Sequence, residues 1–182
     1  MKEAFINKEI WVLTFGASFQ RANVYTENAS EERKRHFKNK TAGHIENMLG
    51  QYKGGNVSDA QHIENIKAVG IYSQNFSEIF NGGQINFGIA QKMLNLYLKY
   101  QWCLGNIQEP PHFPVDRIIQ QNLNILAKNN TLPTLKIEPW TRFKDETHYL
   151  KVINLSRELA KLDTSAHNLT LPNIELMVFE RR

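Results

Sequence analysis

The stretch FGIAQKMLNLYLKYQWCLG, residues 87 to 105, is apolar around nearly its whole helical circumference, yet Gln91, Lys92, Asn95 and Lys99 interrupt it. Gln91, Asn95 and Lys99 recur at i, i+4 and i+8 and form one line, with Lys92 one residue round. Phe87, Ile89, Met93, Leu94, Leu96, Tyr97, Leu98, Tyr100, Trp102 and Leu104 fill the remaining surface, a pattern that predicts the buried centre of an all-α domain. Asn86 is placed to cap it and Gly105 to end it. Its polar line must reach solvent, hydrogen-bond to neighbouring elements, or face a cleft.

Around this rod the periodicity predicts further helices. Residues 3 to 22 set Ile6, Ile10, Leu13 and Ala17 on one face, with Trp11 and Phe15 beside them. Ser30 can cap a helix running to about Tyr52, where KGGN stops it, and Ser58 with Asp59 opens another that carries Ile63, Ile66 and Val69 on one side. NGGQIN is a breaker, and the prolines of NIQEPPHFP exclude regular helix. VDRIIQQNLNILAKNN turns Ile118, Ile119, Leu123 and Leu126 inward. TLPTLKIEPWTRF then links to a helix from about Asp145 to Leu162 with Leu150, Ile153, Arg157, Leu155 and Leu159 forming a broad apolar face. IELMVFE alternates as a strand that would pair with LKIE, and a terminal helix is the alternative. The expected fold is mainly α, a single compact domain of about six helices over residues 1–182, with a short C-terminal β-strand pair as the optional addition.

A length of 182 residues suits one core, and no segment approaches the uninterrupted apolar run of a membrane span. The start, MKEAFINKEIWVLTF, carries acidic charge and lacks a small-residue cleavage pattern, so a soluble, cytoplasmic protein without a signal peptide is expected. Cys103 is the sole cysteine, which excludes a disulfide within the chain. The six histidines (His36, His44, His62, His112, His148 and His167) never fall at the i, i+4 spacing of a helical metal site, so no metal is expected. Gly54-Gly55 and Gly82-Gly83 lack the strand and third glycine of a nucleotide fingerprint, and no cofactor is expected.

Charge changes the picture more. Lys and Arg number 22 against 18 Asp and Glu, for a formal charge of +4 and a pI near 9.1, which favours anionic partners such as nucleic acid. The excess is concentrated in EERKRHFKNK, residues 31 to 40: either a solvated helix face or a phosphate-contacting one with Arg33, Lys34, Lys38 and Lys40 as donors. Trp140, flanked by Arg142, either anchors its linker to the core or stacks on a base. His112 is either an exposed loop residue or a phosphate contact and acid/base.

Asp116 in PPHFPVDRII sits at the first turn of the following helix, where a carboxylate caps backbone amides. A glycine breaker, a helix with a lysine near its start, and a short loop ending in VD before another helix resemble the helix-hairpin-helix DNA glycosylases. The resemblance implies that Lys92 is an amine nucleophile attacking a sugar and that Asp116 assists it. Such an amine must be neutral, hence depressed in pKa by burial. Base extrusion would call on Tyr97, Trp102 and Trp140 as flat partners and on Gln91 and Asn95 to read a base edge, with Lys99, His112 and Arg142 completing the substrate-binding set. AQKMLNLYLKYQWCLG, PPHFPVDRII, PWTRFKD and IELMVFE also resemble an uncharacterised prokaryotic family with an AQK-x-x-N-x-x-x-KY helix and a P-x-D loop, over residues 84 to 180. That family implies one structural unit and no activity. The expected function is nucleic-acid binding, with DNA the expected form and base-excision glycosylase chemistry at Lys92 and Asp116. The alternative is a non-enzymatic nucleic-acid-binding or protein-interaction accessory module of a phage-related or defence operon.

Overall fold

Local signals start four of the helices. Ser30, Ser58, Asn86 and Asp116 accept backbone amides from residues three positions on, at 3.3, 3.2, 3.0 and 3.0 Å, satisfying donors that the first helical turn leaves orphaned. The computed structural model, which describes residues 1–162 and 169–179, is all-helical. Its helices are α1 (Lys2–Phe19), α2 (Glu31–Tyr52), α3 (Asp59–Tyr72), α4 (Phe87–Cys103), α5 (Arg117–Asn129), α6 (Thr147–Leu162) and α7 (Leu171–Val178), with 3-10 turns at Ser73–Ile79 and Trp140–Arg142. His167 lies outside the described residues, as does Glu180 at the end of IELMVFE.

Every residue of α4 from Phe87 to Leu98 is buried, so the oily rod is the centre of the domain. Helices α1 and α3 and the 140–142 turn pack directly on it. On the α1 side the Trp11 and Tyr97 rings stack at 4.1 Å between centroids. Beyond them Phe15, Phe37, Phe76 and Phe80 interlock edge to face where α1, α2 and the 73–79 turn meet.

Two expectations are corrected. Helix α1 does not bury Ile6 and Leu13, which are exposed; its inner face is Ile10, Trp11, Thr14, Phe15 and Ser18. The rotation follows area, because two aromatic rings bury more apolar surface than Ile6 and Leu13 would. The C-terminal strand pair does not form either. Residues 171 to 178 are helical behind the Thr170 cap with Pro172 in the first turn, and the segment expected to pair with them is held by α5 instead. Asn124 bonds both backbone groups of Leu135 (2.8 Å each), and Gln120 bonds both of Glu138 (2.8 and 3.0 Å). Side-chain amides stand where a neighbouring strand would.

Helix α4 also touches the 140–143 segment backbone to backbone. Gly88 N–H donates to Phe143 O at 3.1 Å, and Asn86 Nδ2 donates to Thr141 O at 2.6 Å. A Cβ on residue 88 would lie 1.6 Å from the Trp140 carbonyl oxygen. Gly88→Ala is therefore expected to destabilise by about 3 kcal/mol. Gly43→Ala, mid-helix with nothing within 4 Å of the added carbon, is expected to stabilise by about 0.5–1 kcal/mol. Urea unfolding of the two variants measures both.

Candidate functional site

The polar line of α4 meets partners along its whole length. Gln91 and Asn95 are fully buried. Gln91 pairs with the backbone of Val115, donating from Nε2 to its oxygen at 2.7 Å and accepting its N–H at 3.1 Å. Asn95 Oδ1 accepts from His62 Nε2 at 2.8 Å, and its Nδ2 donates to the Tyr149 hydroxyl at 3.0 Å and to Gln91 Oε1 at 3.3 Å.

From Asn95 a buried chain of hydrogen bonds runs both ways. Toward α2, His62 Nδ1 meets the Tyr52 hydroxyl at 2.9 Å, and that oxygen also accepts from Asn65 Nδ2 at 2.9 Å. Toward the surface, the Tyr149 hydroxyl meets His112 Nδ1 at 3.0 Å and His112 Nε2 meets Asp59 Oδ1 at 3.1 Å, while Asp59 pairs with Arg157. The partners fix the tautomers: Asn95 Oδ1 and the Asp59 carboxylate only accept, so both histidines carry their proton on Nε2 and receive a tyrosine O–H at Nδ1. His112 is thus no exposed loop residue but fully buried. The segment 106–116 is irregular, with Pro110, Pro111 and Pro114 excluding regular helix, and the tyrosine and aspartate partners let the imidazole turn inward.

The two lysines of α4 are almost equally enclosed. Lys92, its side chain 7% exposed, reaches Asp116 Oδ2 at 3.1 Å and lies 3.9 Å from the centroid of the Trp140 ring. Burial pushes its pKa down while Asp116 pulls it back up. Asp116 has two partners, since Oδ1 caps α5 by accepting the Ile119 N–H and Oδ2 accepts from the Lys92 ammonium. Two turns further along, Lys99 pairs with Glu175 of α7 at 2.7 Å beneath the ring of Phe179, at 3.9 Å. Burial raises the Glu175 carboxyl, against the pull of Lys99.

The remaining expected site residues separate. Tyr97 faces α1, its hydroxyl donating to Asn7 Oδ1 at 3.2 Å. Trp102 stays near the polar line but ten residues past Lys92, about 15 Å along the axis. Arg142 is exposed at the end of the turn that carries Trp140. On α2, Arg33 and Lys40 are exposed, Lys38 is half-buried, and Lys34 pairs with Glu31 at 2.8 Å; none of the four touches Lys92 or Asp116. Sequence reasoning missed His62, Tyr149, Asp59, Arg157 and Glu175. For His62 a signal existed: it shares the core face of α3 with Ile66 and Val69 at i+4 and i+7. Among the described residues no three His, Cys, Asp or Glu side chains gather to hold a metal ion, and no helix is long and apolar enough to cross a membrane.

No family model, curated protein or solved structure matches this chain.

The network is expected to make the fold acid-sensitive. Burial pushes His62 down to about 3, with His112 beside it adding to the effect, and pushes His112 down to about 4. An unfolded histidine takes its proton near pH 6.5, so the native state holds fewer protons below that pH. Stability is expected to be complete above about pH 6.5 and to fall as pH drops toward 4, by at most about 1.4 kcal/mol per pH unit for each histidine. Denaturant midpoints across this range measure the slope, and His112→Gln is expected to make it shallower.

Proposed function

We propose that this protein binds nucleic acid through the N-terminal half of α2. One observation carries the reading. Five Lys and Arg crowd residues 31 to 40, and the side chains of Arg33, Arg35 and Lys40 are exposed with no hydrogen bond or ion pair among the described residues. Unpaired cations along one helix suit a phosphate backbone, whose condensed counterions they release on binding. Arg33, Lys34, Lys38 and Lys40 are the proposed phosphate contacts, with Arg35 added from the structure. A salt series on labelled oligonucleotides tests this. Affinity is expected to fall steeply with added salt, and Arg33→Ala and Lys40→Ala are each expected to lower the slope of log K against log salt by about one. A salt-independent affinity, or none, sinks the reading.

A second reading, base-excision lyase chemistry, is favoured by the 3.1 Å approach of Lys92 to Asp116. The lowered pKa of the amine suits a nucleophile, and Asp116 would orient it and stabilise the cationic sugar. Trp140 covers the ammonium, so an extruded nucleotide would have to displace that ring. Borohydride reduction in the presence of abasic DNA is the deciding experiment: the lyase reading expects a covalent adduct that Lys92→Ala abolishes, and wild-type protein that traps none removes it.

A further inference from the structure

Helix α2 carries more than cations on the side turned to α3. Arg33, His36, Lys40 and His44 fall at i, i+3, i+7 and i+11 and share one side of the helix. The two rings in this row have aromatic partners below them. His44 stacks on Tyr72 at 4.0 Å with planes 6° apart, and His36 meets Phe76 edge to face at 5.7 Å. His36 is exposed and His44 and Tyr72 are half-buried, so the row of cation, ring, cation, ring lies at the surface. At its start opens a cavity of about 420 Å³ lined by Ser30, Glu32, Arg33, Arg35, His36 and Asn39. His44 Nε2 is buried with no hydrogen-bond partner among the described residues, and burial lowers the pKa of this imidazole, leaving a neutral ring at neutral pH.

Resting on the nucleic-acid reading above, we infer that this row is a stacking platform for single-stranded nucleic acid, with Arg33 and Lys40 on phosphates and His36 and the His44–Tyr72 stack against unpaired bases. The spacing argues for a single strand. Successive members are about 4.5–6 Å apart along the helix axis, whereas bases in one strand of a duplex repeat every ~3.4 Å. Duplex bases are moreover covered on both faces by their neighbours, so only an unstacked strand presents a base to a protein ring between two phosphate contacts. Stacking accepts any base, since each has a π face, and the predicted preference is for strandedness and not for sequence.

Fluorescence polarisation with the full chain on a single-stranded DNA, a single-stranded RNA and a DNA duplex tests this. Wild-type protein is expected to prefer the single strands. His36→Ala, at an exposed position, and Tyr72→Leu, which keeps bulk and removes the ring, are each expected to weaken single-strand binding about 5- to 100-fold with the salt slope unchanged. Equal or tighter duplex binding overturns the platform. So does unaltered single-strand affinity in both ring variants while Arg33→Ala and Lys40→Ala still weaken it, an outcome that leaves the electrostatic reading standing. Wild-type protein that binds none of the three probes overturns both.

Discussion

An amide group enclosed in an apolar core has to be hydrogen-bonded, and the architecture of this protein follows from where that requirement falls. Asn95 sits at the centre of the most buried helix with no solvent exposure. An unpaired amide there would cost on the order of 1–3 kcal/mol. Its oxygen and nitrogen are taken by α3 through His62 and by α6 through Tyr149, so one residue fixes how three helices sit. Gln91, one turn earlier, does the same for the proline-rich segment by pairing with both backbone groups of Val115. The fold is oriented by a thin polar seam inside an otherwise non-directional hydrophobic core.

The charges follow the same logic at higher stakes. Lys92 and Lys99 stand two turns apart on α4, and each has one carboxylate and one aromatic ring over its ammonium. Removing water from an ion is costly unless a partner of opposite charge replaces it. The two pairs therefore tie α4 to the start of α5 and to α7, and any chemistry at Lys92 has to begin by opening a closed, fully partnered site. The basic row of α2 is the opposite case, with exposed cations and few partners. The nucleic-acid binding proposed for α2 would therefore require no buried pair to open, whereas the proposed chemistry at Lys92 would.

Repeated use of side-chain amides against extended backbone explains both the all-helical character of the chain and the failure of the strand expectation. Leu135, Glu138 and Val115 each have N–H and C=O satisfied by a single Asn or Gln from a helix. An alternating segment such as LKIE is thus relieved of any need for a second strand. Alternation alone does not distinguish the two solutions, because both satisfy the same backbone groups.

What the sequence by itself determined is local: the helix starts at Ser30, Ser58, Asn86 and Asp116, the breakers between helices, the burial of most of the rod expected over residues 87 to 104, whose last turn emerges with Cys103 and Leu104 exposed, and the existence of a polar line on that rod. These depend on periodicity and on hydrogen bonds spanning three or four residues, which a linear reading contains. Only the tertiary structure decided which groups that line would meet. Lys92 and Asp116 are 24 residues apart, His62 and Asn95 33, Asn95 and Tyr149 54, and Lys99 and Glu175 76. The face of α1 that turned inward was likewise settled by packing, when Trp11 found Tyr97. A sequence shows that a buried polar group needs a partner; which one it gets depends on helices packing at separations that leave no periodic trace.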